Sequence, residues 1–201
     1  MNQENNQLNN MHPDQLSGVG KNLLKLIEFD EDEILIDEIR KHPFGLFIIY
    51  MTGFAIGLSV LVVFFILPSL IKGDEFGIDI SAYTPIFMFL GLIMFVLTFI
   101  GTMIGAHLYK NDVIVITNEK IAQVIYKTIF NRKISQLSIG DVQDVTVTQE
   151  GILPRIFRYG TIVIETAGEQ ANYKFTYVPD PYKHAKSIVG SHEVNLTKYG
   201  N

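Results

Sequence analysis

The chain has 201 residues, a formal net charge of −5, and neither cysteine nor tryptophan. The absence of cysteine excludes disulfides, thiolate metal sites and cysteine nucleophiles. Its 16 basic residues form no concentrated stripe, so no nucleic-acid partner is expected. Charge is uneven along the chain: residues 1–43 carry 4 basic and 9 acidic groups, and residues 110–201 carry 11 and 9.

The first 43 residues precede the apolar part of the chain. Residues 1–15 are rich in Asn and Gln, which predicts a disordered tail. Residues 16–43 form an amphipathic and acidic pre-membrane segment, and the apolar residues within 16–29 predict a short helix that either lies on a bilayer or docks onto the β-rich part. The four acids at 30–33 lack the alternation and glycine turn of a calcium loop, so a solvated charge run is expected.

Two apolar blocks follow, at residues 44–71 and 80–109. The first has 28 residues without Lys, Arg, Asp or Glu, and the second has His107 as its only ionisable group besides tyrosine. A helix of that length reaches about 42 Å, more than the ~30 Å hydrocarbon core of a bilayer. Neither block shows the polar stripe of a soluble helix, and the first begins too late for a cleaved signal peptide. The sequence therefore predicts a transmembrane hairpin joined by residues 72–79.

The orientation of the hairpin follows from the basic residues at its ends. Arg40 and Lys41 precede the first block and Lys110 follows the second, whereas the connecting loop holds only Lys72. Under the positive-inside rule, both termini are expected to be cytoplasmic. The expected location is the cell (inner or plasma) membrane, with a multi-pass topology.

Each block carries two glycines at the small-residue spacing of packed membrane helices, namely Gly53 with Gly57 and Gly101 with Gly105. These faces serve packing within the hairpin or dimerisation, unless the spacing is accidental. Three threonines are candidates for hydrogen bonds between the helices: Thr52, Thr98 and Thr102. Neither block contains a mid-depth Asp, Glu, Lys or Arg, which argues against transport chemistry.

From residue 111 onward, short alternating segments separated by turn residues predict a β-rich module. The expected strands are 113–117, 121–126, 128–139, 142–149, 160–166 and 172–178. In the last of these, Tyr173, Phe175 and Tyr177 are expected to share one face. A final short helix is expected to turn Ala185, Ile188 and Val189 inward. About six strands and one capping helix predict a small, strongly bent sheet or partial barrel.

Four stretches together resemble a known family: "RKHPF" (40–44), "VIVITNEKI" (113–121), "RYGTIVIETAG" (158–168) and "FTYVPDP" (175–181). The chain is similar to bacterial pleckstrin-homology-like (PH-like) membrane proteins of the bPH2, YdbS/DUF304 type, over roughly residues 28–190. The resemblance implies an α+β membrane protein with a PH-like domain at 110–190, a tail at 191–201, a bacterial inner membrane setting and no defined reaction. Where the family usually has an Asp–Arg pair, this chain has Asn118-Glu119-Lys120.

Two apolar–basic stretches are candidates for contact with a lipid or a partner. In residues 151–160, Arg155, Ile156, Phe157 and Arg158 are placed to insert apolar side chains into a bilayer while the guanidinium groups meet lipid phosphate. Alternatively, the apolar side chains plug the open end of the sheet and the arginines are solvated. The second patch surrounds the turn at "FNRK" and consists of Lys127, Arg132 and Lys133.

No catalytic, metal-binding or cofactor-binding residues are predicted. The five histidines show no ligand spacing, and His184 is expected to be exposed on the last helix. The leading hypothesis is a non-catalytic, membrane-anchored binding or scaffold module whose partner is anionic lipid or another membrane protein, with an oligomer allowed. The alternatives are an accessory subunit that packs through its hairpin, and a membrane enzyme with a dispersed site.

Overall fold

The structure is a computed structural model that describes residues 11–27, 29, 33–70, 81–166 and 173–200. The chain divides into two units. The β-unit comprises Met1–Gly45 with Leu108–Asn201, and the helical unit comprises Leu46–His107. Most of the predicted tail, the loop at 72–79 and the turn at 167–171 lie outside the described residues.

The N-terminal segment contributes a helix and a strand to the β-unit. Helix α1, Gly18–Leu24, begins after Ser17, whose side chain accepts a hydrogen bond from the Gly20 N–H at 3.1 Å. Strand β1, Leu35–Arg40, pairs antiparallel with β2, Val113–Thr117. Strand β1 was not predicted from the sequence, because two acids interrupt its apolar residues and its partner strand is distant in the sequence.

Two long apolar helices lie between β1 and β2 in the sequence. They are α2, Pro43–Leu70, and α3, Thr84–Asn111. Both are long and apolar enough to cross a membrane by length and composition, with a mean hydropathy of 2.4 over their most apolar stretches. Their bounds lie close to the predicted 44–71 and 80–109, except that residues 81–83 form a 3₁₀ turn.

Within the helical unit, the predicted glycines have different surroundings. A Cβ added to Gly53 would overlap the side chain of Thr102, and one added to Gly57 would lie 3.1 Å from the Phe95 ring. Gly101 has open space on its free side, and the nearest atom to a Cβ at Gly105 is Ile49 Cγ2 at 3.8 Å. The two glycines of α2 therefore permit close helix packing, and Gly101 does not.

The predicted threonine hydrogen bonds between these helices are wrong for two of the three residues. The Thr98 hydroxyl donates to the Met94 carbonyl at 2.9 Å, and the Thr102 hydroxyl donates to the Thr98 carbonyl at 2.8 Å. Both bonds lie within α3, because a hydroxyl four residues along a helix reaches its own backbone.

The remaining strands build two antiparallel sheets. Strands β3, Lys120–Tyr126, and β4, Arg132–Ser138, complete a four-stranded sheet of order β1-β2-β3-β4. Strands β5, Val142–Thr148, β6, Tyr159–Thr166, and β7, Tyr173–Pro179, form a three-stranded sheet in sequence order. Helix α4, Ile152–Ile156, connects β5 to β6, and α5, Pro181–Tyr199, follows β7.

Two apolar cores flank the four-stranded sheet. The larger lies between the two sheets and α5, and includes Ile114, Ile116, Ile162 and Ile188. The smaller lies under α1, where Leu23 packs with a second set of buried residues that includes Val113 and Val115. Strand β2 is buried at every position because successive side chains enter opposite cores. Of the two predicted positions for the amphipathic N-terminal segment, the structure has it docked on the sheet.

The expected face of β7 is correct for Tyr173 and Phe175 and wrong for Tyr177. Residues 176 and 177 stand opposite the single residue Thr161, a β-bulge in which Tyr177 has φ +56°. The bulge reverses the alternation, so Val178 enters the core instead. A Cβ on Gly160, beside the bulge, would lie 2.7 Å from the Thr148 carbonyl oxygen, which explains why glycine stands there.

Helix α5 is longer than predicted, and the residues that it buries differ from those predicted. Ala185 and Ile188 are buried as expected, but Val189 is 42% exposed. His184, which was expected to be exposed, is buried, and its Nδ1 lies 2.5 Å from Asp37 Oδ2 on β1. The helix continues to Tyr199, so the residues predicted as a tail from 191 are largely helical.

The acidic run is also not wholly solvated. Glu33 is buried, and its carboxylate lies 2.9 Å from Lys120 Nζ and accepts the Thr117 hydroxyl at 2.5 Å. The Asn118 side chain accepts the Ile34 N–H at 2.7 Å. The segment before β1 is therefore tied to the β2–β3 turn.

Candidate functional site

One end of the β-unit contains the residues at which the chain continues into α2 and α3. We call it the junction end and define it by Lys41, His42, Tyr109 and Asp112. Lys41 Nζ lies 2.7 Å from Asp112 Oδ2 and 5.0 Å from the centroid of the Tyr109 ring. The Tyr109 hydroxyl donates to the His42 carbonyl at 2.8 Å. This bond links the segment just before α2 to the end of α3 within the β-unit.

The opposite end, which we call the far end, contains the β2–β3 turn and the last turns of α5. The Asn195 side chain donates to the Asn118 carbonyl at 3.1 Å. His192 Nδ1 lies 2.8 Å from the Ile139 carbonyl oxygen. Helix α5 therefore starts beside the junction end, where Asp180 N–H donates to the Arg158 carbonyl at 2.8 Å, and runs to the far end.

Aromatic rings cover the junction end on the side of the three-stranded sheet. Phe44, in the first turn of α2, stacks on Phe157 and Tyr159 with centroid distances of 4.6 Å and 5.1 Å. Tyr159 also stacks on Tyr177 at 5.3 Å, so the bulge in β7 directs Tyr177 into this cluster. Contacts of this kind contribute about 0.5–1.5 kcal/mol each beyond the area that they bury.

Burial shifts the pKa of two residues at the junction end, His42 and Tyr159. It lowers the pKa of His42 below its ordinary value of 6.5, and nearby Asp180 partly opposes this effect. Burial, followed by the charge that Tyr177 would carry, raises the pKa of Tyr159 above its ordinary value. The shift at Tyr159 favours the protonated phenol, and the shift at His42 favours the neutral imidazole.

The β3–β4 turn, residues 127–131, leaves the four-stranded sheet at the junction end. The Tyr126 N–H, just before the turn, donates to Asp112 Oδ1 at 2.9 Å. Phe130, at the tip, is 98% exposed, and Ile129 is half exposed. The three predicted basic residues surround this tip and are exposed: Lys127, Arg132 and Lys133.

The β5–β6 connection, residues 149–158, also lies at the junction end. Phe157 holds it there through Phe44, while Ile152 and Ile156 are 76% and 65% exposed. Arg155 and Arg158 are exposed on the same connection. The alternative in which these apolar side chains plug the sheet is therefore wrong for all but Phe157, which is partly covered.

All seven predicted contact residues thus lie at one end of the β-unit, five of them on the two connections and Arg132 and Lys133 in the first residues of β4. Ile129 and Phe130 were not predicted from the sequence as contact residues. An apolar pair inside a polar turn was a pattern that could have indicated them. It also missed Lys183, which lines one surface depression with Arg155 and Arg158. Lys183 is separated from them by two strands, so only the fold brings the three together.

Among the described residues, no group of three or more His, Cys, Asp or Glu side chains is placed to hold a metal ion. Two concavities of the junction end lie on the outer side of the three-stranded sheet and beside the start of α5. The arrangement offers an exposed surface of apolar and cationic side chains, which suits binding.

Comparisons with known proteins bear on the family. A family profile described as bacterial PH domain (bPH_2) matches residues 45–189, which is more than half of the chain. No curated protein matches the sequence. A crystal structure of a DUF1696 family protein with a pleckstrin-homology domain, from Shewanella loihica PV-4, is similar at 16% identity and a TM-score of 0.33. That similarity covers 40% of this chain and 70% of the other, and its TM-score is too low to support the fold. On the family match, this chain belongs to the bacterial PH domain family.

Proposed function

We propose that this protein is a two-span membrane protein whose PH-like β-unit binds the surface of the bilayer in which its helices are anchored. A PH-like domain is in general a non-catalytic binding module. The β-unit would lie on the cytoplasmic side, with its junction end toward anionic headgroups. The observation that carries the proposal is the position of both apolar–basic loops at the end where α2 and α3 join the β-unit.

The exposed apolar side chains support this function. Six of them lie on the two loops, with Phe157 partly covered by Phe44: Ile129, Phe130, Ile152, Leu153, Ile156 and Phe157. Complete burial of one such side chain in an apolar environment stabilises by about 1.5–3 kcal/mol. Grouped apolar exposure of this kind marks an interaction surface.

The charges on the same loops support a lipid surface over an apolar protein groove. Lys127, Arg132 and Lys133 flank the first loop, and Arg155 and Arg158 belong to the second. A basic residue close to an anionic leaflet contributes about 1 kcal/mol. Because the helices hold the β-unit at the membrane, this modest affinity acts at high local concentration.

Single tryptophans test the proposal, since the chain has none of its own. Phe130→Trp and Ile152→Trp would be reconstituted as full chains in vesicles that contain anionic lipid. Leu196→Trp, on α5 toward the far end, is the matched control. We expect blue-shifted emission and quenching by lipids brominated near the headgroup for the first two variants only.

Equal emission and no quenching for all three variants would show that the loops do not touch the bilayer. A triple change of Lys127, Arg132 and Lys133 to Gln should reduce quenching of Phe130→Trp in anionic vesicles and leave it unchanged in neutral ones. An identical reduction in both vesicle types would remove the electrostatic part of the proposal.

The topology has its own test, because the chain also lacks cysteine. A cysteine introduced at Gly77, in the sequence between the helices, should react with an impermeant maleimide on intact cells. A cysteine at Lys198, near the end of α5, should react only after lysis. The reverse pattern would invert the proposed orientation.

A second candidate function is that of an accessory subunit, and the open face at Gly101 favours it. In that case, in-cell crosslinking of a chain whose β-unit is deleted would still capture the same membrane partner. Loss of the crosslinked product on deletion of the β-unit would favour the leading proposal.

A further inference from the structure

A surface depression of about 360 Å³ lies beside the start of α5, and cationic side chains line it. Arg155 comes from α4, Arg158 from the turn after it, and Lys183 from the first turn of α5. Asp180 is the only acidic residue that lines it, so the local charge is +2. This excess stands in a chain whose formal net charge is −5.

The depression is held in place by backbone contacts. The Asp180 N–H donates to the Arg158 carbonyl at 2.8 Å, which joins two of the lining residues. The side chain of Gln149, a third lining residue, donates to the Tyr159 carbonyl at 2.9 Å. All three cationic side chains are exposed, and the structure gives none of them an ion-pair partner among the described residues. Like charges that converge without full neutralisation favour an anionic ligand.

The position of the depression indicates where that anion comes from. Phe157 lies between Arg155 and Arg158 in the chain and stacks on Phe44, in the first turn of α2. If α2 crosses the bilayer as proposed above, Phe44 lies at headgroup depth. Tyr182, on the rim, is exposed and of the residue type that is enriched at membrane interfaces.

We propose that Arg155, Arg158 and Lys183 form a binding site for the phosphate of an anionic phospholipid headgroup. Arginine suits this role because its planar guanidinium donates two parallel hydrogen bonds to phosphate oxygens. This inference rests on the proposed function, and it adds a defined headgroup site to the general attraction between the loops and the leaflet.

The test uses Tyr182→Trp as a fluorescent reporter in the full chain, purified in detergent. The probes are short-chain phosphatidylglycerol, short-chain phosphatidylcholine and inorganic phosphate. We expect a saturable change with phosphatidylglycerol, and affinity reduced about fivefold by Arg155→Gln and by Lys183→Gln. Lys186→Gln, on the same helix and outside the depression, is the charge-matched control and should bind like the parent.

Other outcomes would overturn the proposal. If Arg155→Gln, Lys183→Gln and Lys186→Gln all bind phosphatidylglycerol like the parent, the site does not exist. If inorganic phosphate saturates the reporter at the same concentration as phosphatidylglycerol, the site takes free phosphate and the lipid source is wrong. Native mass spectrometry of lipid bound to the tryptophan-free chain repeats the comparison without the reporter.

The two proposals fail separately. Quenching at Ile152→Trp without a response at Tyr182→Trp would leave a loop-inserting module with no headgroup site. A response at Tyr182→Trp without quenching at Phe130→Trp or Ile152→Trp would leave a phosphate site on a β-unit that does not insert its loops.

Discussion

The contact between the His184 imidazole and the Asp37 carboxylate is expected to stabilise the β-unit, because it joins strand β1 to helix α5. The two side chains are 11% and 14% exposed, and Nδ1 and Oδ2 are 2.5 Å apart. Removal of either partner leaves the other nearly buried without its bond, which costs about 2–3 kcal/mol. For a chain of this size each kcal/mol corresponds to a shift in Tm of roughly 2–4 °C.

A double-mutant cycle separates this bond from the lost packing. His184→Ala, Asp37→Ala and the double variant would be unfolded with denaturant in mild detergent and followed by tyrosine fluorescence. The coupling free energy is expected to be about 1.5–3 kcal/mol. His192 lies on the same helix as His184, but its imidazole contacts the Ile139 carbonyl. His192→Ala should therefore show no coupling to Asp37→Ala. A His184–Asp37 coupling below about 0.5 kcal/mol would refute the reasoning.

Three further predictions concern other parts of the molecule. Because burial lowers the pKa of His42 in the folded state, the unfolded state binds more protons than the folded state as pH falls below 6.5. The free energy of unfolding should therefore fall with acidification. His42→Gln should flatten that decline in denaturant titrations from pH 7.5 to 5.5. Gly53→Ala should destabilise the helical unit by about 1–3 kcal/mol through overpacking, whereas Gly101→Ala should not, as measured by thermal loss of helical circular dichroism in detergent. Glu33→Ala should lower the free energy of unfolding by about 3 kcal/mol, because it removes the buried carboxylate that bonds Lys120. The denaturant assay of the double-mutant cycle measures this loss, and a loss below about 1 kcal/mol would contradict that role.

Periodicity predicted the elements whose partners are close in sequence. The hairpins β2–β3 and β6–β7 and the two long helices follow from alternation or continuous apolarity, which are local properties. Strand β1 was missed because its sheet partner, Val113 opposite Arg40, is more than 70 residues away. The burial of His184 was missed for the same reason, since its partner Asp37 stands on that undetected strand.

The candidate site was predictable in part. Apolar and basic residues mixed within a loop identified Arg155 and Lys127 without any structure. Their common position at the junction end depends on strand direction and on the stacking of Phe157 on Phe44, which no local pattern contains. The face of Tyr177 was mispredicted because a bulge shifts the alternation by one residue.

The order of β1, α2, α3 and β2 along the chain constrains biosynthesis. Strand β1, Leu35–Arg40, is translated first but pairs with β2, Val113–Thr117, which is translated only after both apolar helices. The earlier strand therefore has no sheet partner until both helices have been synthesised. If the helices insert into a membrane as proposed, completion of the four-stranded sheet is a late step, and a nascent chain that stops before β2 also lacks a finished β-unit.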